Sequence, residues 1–188
     1  MDMWKPYMNA VNDIAPQAAI VHDKFHLFKK LSEAIDQTRR KEVKEQEQLK
    51  NQKYTVLKNK ENRTKQQQKD FEQILKDNLL TAKAWLVREN FKSLFQPSND
   101  VDKQYQLWKT NAQSYSIPAV NRVIETFDRH IKGIFNAVTS NTSSAKHENM
   151  NGKIQAVIAK ARGFINFDRF RINTLFYFGN LNLIPQNI

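Results

Sequence analysis

The chain has 188 residues, 40% of them hydrophobic, and 30 Lys+Arg against 19 Asp+Glu give a formal net charge of +11. That is enough apolar material for one ordinary domain with a core, or a domain with an insertion, and it excludes an intrinsically disordered chain. The lack of cysteine excludes disulfides and thiolate metal sites, and no apolar run reaches the roughly 18 residues of a membrane span.

The amino terminus has no signal-peptide core, so a soluble cytoplasmic protein is expected, without a membrane partner. The charge points to a polyanionic partner, nucleic acid or an anionic membrane surface. The abundance of Lys, Asn, Gln and Ile equally fits a compositional bias that raises lysine everywhere. The glycines are Gly133, Gly152, Gly163 and Gly179, and none pair into a GxGxxG or GxxxxGK loop, which excludes a P-loop within this chain. So few Gly and Pro also favour helices over tight hairpins.

In chain order, residues 4–15 predict a short helix, with Pro6 in its first turn and Pro16 closing it. AAIV at 18–21 is the best strand candidate, and the polar VHDKFH follows its end. From Lys24, Phe25, Phe28, Leu31 and Ile35 recur at helical spacing. RRKEVKEQEQLKNQK (39–53) is charged and reads as a solvated helix or a loose segment. A second helical pattern runs from about 65 to 95 through Phe71, Ile74, Leu75, Ala82, Trp85 and Leu86, and QPSND (96–100) is a turn. Val101, Tyr105, Trp108, Ala112 and Tyr115 predict an amphipathic helix, and Val120, Val123, Ile124, Phe127, Ile131 and Ile134 another after Pro118. SNTSS (140–144) is a connector, 145–161 a helix broken near Gly163, and 166–178 the last helix.

KHENMNGKIQAVIAKARGF (146–164) carries the most information. On a helical wheel Met150, Ile154, Val157 and Ala161 form an apolar stripe. Glu148, Asn151, Gln155 and Arg162 lie nearly opposite, and Lys146, Lys153 and Lys160 flank the edge. A first-turn Glu also compensates a helix dipole, with Ser143 or Ser144 available as cap, and Asp2 reads equally as a cap before Pro6.

DMWKPY at 2–7, AAIVHDKFH at 18–26 and ENMNGKIQ…ARGFINFDRFR at 148–171 together resemble a bacterial DDE transposase of the ISL-three insertion-sequence family. The resemblance runs in order along most of the chain, strong at both ends and weak through 40–140. It implies a mainly α chain with a partial RNase H-like α/β core retaining about one strand. The implied parts are 1–24 as partial core, 25–140 as an α-helical insertion, and 141–188 as a return to the core with the Glu-bearing helix.

The resemblance further implies that Asp2 and Glu148 are the second and third catalytic acids and the metal ligands. Asp23, His26 and Asn151 would support them, and Lys153, Lys160 and Arg162 would lie along DNA, although these cations also read as a solvated face. Asn149 and His147 replace the Gly and Ala usual in the family. The implied cofactor is Mg²⁺ or Mn²⁺, because phosphoryl displacement uses hard ions and hence carboxylate ligands. DNA is the implied partner, nucleoid association follows when DNA is bound, and an uncovered AAIV edge would favour self-association. The first acid would stand upstream of Asp2, so the chain reads as part of a transposase that is inactive alone. Met1 would be an internal start in a decayed or split gene, or an imposed boundary. The alternative is a basic helical DNA-binding or protein-interaction module without chemistry.

Overall fold

The structure, a computed structural model, describes residues 1–98, 100–140 and 145–179, with the side chains of 145–148 outside that description. It divides into two compact units, Met1–Thr142 and Ser143–Ile188.

The first unit is helical throughout its regular structure. It contains α1 (Lys5–Ile14), α2 (Lys24–Glu42), α3 (Lys53–Leu57), α4 (Lys65–Lys76), α5 (Leu80–Phe91), α6 (Val101–Ser114), α7 (Pro118–Arg129) and α8 (Ile131–Ser140). α5 is the hub. Its buried residues are Thr81, Ala82, Ala84, Trp85, Val87, Arg88 and Phe91, which is wider than one stripe, so neighbours cover it on several sides. α2 lies along it, α3, α4 and α6 pack on it, and α7 flanks α2.

Aromatic rings fill the centre. Phe91 lies 4.8 Å from Trp108 and 5.2 Å from Phe127 between ring centroids, and Trp85 lies 4.7 Å from Phe71. The Trp108 indole N–H donates to the Val87 carbonyl at 2.9 Å, so its one polar atom is satisfied inside the core. Burying one such ring contributes about 1.5–3 kcal/mol. Trp4, by contrast, is exposed and meets Tyr7 edge-on at 4.6 Å.

The mainly α fold expected from the sequence is what the described residues show. Other expectations are corrected: AAIV forms no strand, and no strand occurs among the described residues to represent a partial RNase H-like core. AAIV has no continuous neighbour to ladder with. The Ile20 carbonyl takes the Asn136 side-chain amide at 2.8 Å, and only Met1 bonds the backbone of 21–23 from its other side. On α2 the buried set is Leu27, Leu31, Ala34, Ile35, Asp36 and Thr38, while Phe25 is exposed. The charged 39–53 stretch is not all solvated, because Leu49 is fully buried. The 65–95 pattern is two helices separated at Asn78, whose left-handed φ of 54° ends the first. The helix after Pro118 breaks at His130. Asp2 caps nothing, since the first residue before α1 is Trp4, without a side-chain cap.

In the second unit, α9 (Ala145–Lys160) and α10 (Phe167–Phe178) form a helical hairpin. The break between them falls where the sequence places it, with Arg162 at φ 53° and Gly163 at φ 92°. No helix among the described residues is long and apolar enough to cross a membrane.

Candidate functional site

The segment 1–3 runs beside 21–23. The Met1 amino group donates to the Val21 carbonyl at 2.6 Å, and the Asp23 amide donates back to the Met1 carbonyl at 3.0 Å. The His22 amide between them turns the other way and donates to the Gly133 carbonyl on α8 at 3.0 Å. Met3 joins the buried cluster that contains Leu27 and Phe127. These contacts fix the backbone on both sides of Asp2.

Asp2 itself is held outward. Its Oδ1 accepts the Met3 amide at 2.7 Å and lies 3.6 Å from His26 Nδ1, a pair that is ionic only when His26 is protonated. Its side chain is 44% exposed, and Oδ2 has no partner among the described residues. A hard divalent ion takes such a donor readily, so Asp2 fits a role as one carboxylate ligand. No group of three or more His, Asp and Glu side chains suited to a metal occurs among the described residues.

The Asp23 carboxylate accepts the Phe25 amide at 2.9 Å and caps α2. His26, on the first turn of α2, is the residue that faces Asp2.

Behind this corner lies a pair that local sequence cannot show. His22 is buried, and its ring meets that of His130 edge-on at 5.2 Å between centroids. Burial, and then the charge of His130, push the His22 imidazole down to about 4. His130 is lowered as well, by burial and by Arg129 and Lys30. A Cβ on Gly133 would come within 2.6 Å of His22 Nε2, so the glycine is needed for close approach. His22 and Gly133 are too far apart in sequence for periodicity to join them.

The remaining predicted residues lie in the second unit. Glu148 is the fourth residue of α9, and its side chain lies outside the described residues. Asn151, Lys153, Lys160 and Arg162 are exposed. Lys153 and Lys160 border a groove of about 490 Å³ between α9 and α10, lined also by Val157, Phe164 and Tyr177. The apolar stripe predicted for this helix is only half covered, with Met150 41% exposed.

Arg88 went unnoticed in sequence. It falls in register with Thr81, Ala84 and Trp85 on α5, and a cation on a buried stripe is the signal that would have found it.

Comparison with known proteins supplies the frame. Among curated proteins, the chain is 23% identical over 180 residues to the transposase for insertion sequence element IS1001 of Bordetella parapertussis, covering 90% of this chain and 44% of that protein. The chain thus spans less than half the length of that relative. No solved structure matches it. The family model described as transposase matches residues 1–174, which include both carboxylate-bearing blocks. The chain belongs to the transposase family of the ISL-three, DDE type.

Proposed function

We propose that this chain carries part of the catalytic region of a transposase, with Asp2 and Glu148 as metal-binding carboxylates and with Lys153, Lys160 and Arg162 on the DNA backbone. The observation that carries the reading is the family match over residues 1–174, within which both acids fall. The outward Asp2 carboxylate with its unpartnered Oδ2 supports it.

The family uses a divalent metal, and Mg²⁺ or Mn²⁺ suits carboxylate oxygens. Asp2 and Glu148 would hold such an ion, which would supply Lewis-acid stabilisation of charge at the oxygens of an in-line displacement at phosphorus. This chain's residues hold and orient. The Met3 amide fixes Asp2 Oδ1 and leaves Oδ2 for the metal, and His26 limits how far the carboxylate swings. Asn151, three residues after Glu148, shares its helical face and positions it or the substrate. Lys153, Lys160 and Arg162 neutralise phosphates.

The 188-residue chain alone binds duplex DNA and does not nick it, because the family chemistry draws on three acids and Asp2 and Glu148 supply two. Self-association is part of the same reading, supported by the exposed Ile165, Phe167 and Ile172 of the second unit.

The test is a Mn²⁺ titration of isotope-labelled chain followed by NMR. Paramagnetic broadening should appear early and together at the amides flanking Asp2 and Glu148, and weaken in Asp2→Asn and in Glu148→Gln. Broadening spread evenly over all acidic residues would sink the assignment. Robust plasmid nicking abolished by Glu148→Ala would show that two acids suffice and overturn the claim of inactivity.

A further inference from the structure

A second polar site lies in the first unit, and none of its lining residues is among those assigned above to chemistry. An open pocket of about 550 Å³ is lined by Lys24, Phe28 and Ser32 of α2, by Lys58, Asn59 and Asn62 after α3, and by Arg88 and Lys92. The spacing explains the convergence. Lys24, Phe28 and Ser32 stand four residues apart on one face of α2, and Arg88 and Lys92 stand four apart at the end of α5.

Four cations thus face one cavity. Their counter-charge is small. Glu89 pairs with Arg88 at 3.2 Å and with Lys92 at 2.6 Å, so one carboxylate serves two of them. Lys24 has no carboxylate among the described residues and stands 4.4 Å above the Phe95 ring centre. Lys58 donates to the neutral Gln67 amide oxygen at 3.1 Å. Asn59 and Asn62 at the rim are exposed, and their side-chain amides are free for a ligand.

Arg88 is the unusual member. It is 3% exposed, and its guanidinium donates to the Leu57 carbonyl at 2.8 Å and the Ser32 hydroxyl at 3.3 Å. Its Nε–H is buried with no acceptor. A buried N–H without a partner loses the solvation it would have in water, and a buried cation that shares its one counter-ion is costly. The strain extends further. Arg63, stacked 3.5 Å from the Phe71 ring centre, is pushed down to about 10 by burial and then by the charge of Arg88. One anion in the pocket would answer the excess charge. A carboxylate is planar and meets two donors best, whereas a tetrahedral phosphate presents oxygens to several cations from different directions.

We propose that this pocket seats a backbone phosphate of a nucleic-acid strand, with Lys24, Lys58, Arg88 and Lys92 as its cations and Asn59 and Asn62 contacting the adjoining sugar or base. The pocket opens to solvent, as a passing strand needs, and its volume holds a phosphate with part of its nucleotide. The site adds DNA contacts from the first unit and is independent of the metal-binding assignment.

The experiment uses the intact chain and two double variants of equal charge change. Lys24→Gln/Lys58→Gln alters the pocket, and Lys65→Gln/Lys103→Gln alters exposed lysines elsewhere. All four side chains reach solvent, so both variants should keep the native circular dichroism and unfolding midpoint. Affinity for a short DNA duplex is measured by fluorescence anisotropy at fixed salt. The Arg88 Nε–H resonance is followed by NMR during titration with the duplex and, separately, with inorganic phosphate. The pocket variant should bind DNA about 10-fold more weakly and the control no more than about twofold, since only the former removes seated contacts. The Arg88 resonance should move with either titrant. If phosphate moves it but both variants bind DNA alike, the pocket takes a small free phosphate and the nucleic-acid assignment is overturned. If neither titrant moves it, there is no anion site. Mn²⁺ broadening at Asp2 and Glu148 should be the same in the pocket variant as in the parent, so failure of either reading leaves the other intact.

Discussion

At the scale of single residues, Gly133 and His22 decide the corner that carries Asp2. A Cβ at position 133 collides with the His22 ring, and both sit in packed surroundings. Gly133→Ala should therefore lower stability by about 1–3 kcal/mol, read as a lower urea midpoint at unchanged slope. His22 supplies a pH dependence. Its folded value is about 4 against 6.5 for the free side chain, so the unfolded state binds the proton more readily. The stability this contributes is present above pH 6.5 and is lost as pH falls from there to about 4, amounting to at most about 3 kcal/mol. The groups acting on it are His130, the Met1 amino group and Asp2. Urea unfolding at pH 7 and pH 4.5 should show a smaller difference for His22→Gln than for the parent chain, and an equal difference would refute the role. Asp2 was legible in the sequence because a rare block, DMWKPY, surrounds it. His22 was not, because its importance depends on a glycine brought up from α8.

At the scale of elements, the helices that read clearly are those with aromatic stripes, such as α6, whose Tyr105, Trp108 and Ala112 are buried as their spacing predicts. The breaks were harder to read. Between α4 and α5, and between α7 and α8, no Gly or Pro interrupts the chain, so the apolar period continues across. The local signals were small. Thr64 and Gln67 form a capping box at the start of α4, bonding at 3.2 and 3.1 Å. The start of α5 has no cap of its own. Glu42, at the end of α2, supplies one across space, accepting the Leu80 amide at 2.7 Å, the Thr81 amide at 2.8 Å and the Thr81 hydroxyl at 2.7 Å. A carboxylate there satisfies two orphan N–H groups and meets the positive end of the helix dipole. Glu42→Ala should cost about 1–2 kcal/mol in chemical denaturation, and Glu42→Gln less, since an amide keeps one acceptor. A loss within error for Glu42→Ala would mean that water replaces it fully. The strand expected at AAIV failed for a related reason. β-branched residues favour a sheet only when a partner strand is there to pair with, and here the neighbours are a side-chain amide and one residue of the amino terminus.

At the scale of the whole molecule, a charge of +11 distributed over both units should make the proposed DNA binding strongly dependent on salt. Binding by counterion release gives a log–log slope of about −0.9 for each phosphate contacted. Neutralising Lys153, Lys160 and Arg162 together should flatten that slope, by up to about 2.7 if all three touch phosphate. The measurement is a set of anisotropy titrations against duplex DNA at several salt concentrations. An unchanged slope would return these three residues to a merely solvated face, and salt-independent binding would remove the electrostatic account entirely.

The placement of the three tryptophans makes the protein its own optical probe. Trp85 and Trp108 are sealed among rings in the first unit, and Trp4 faces water two residues from Asp2. Excited at the indole band, the chain should emit as two populations, a blue pair that a soluble quencher reaches poorly and a red single that it reaches freely. Unfolding moves only the pair. If Asp2 takes up a paramagnetic ion as proposed, the single should dim first, so one cuvette would separate loss of fold from occupancy of the acid corner without any label.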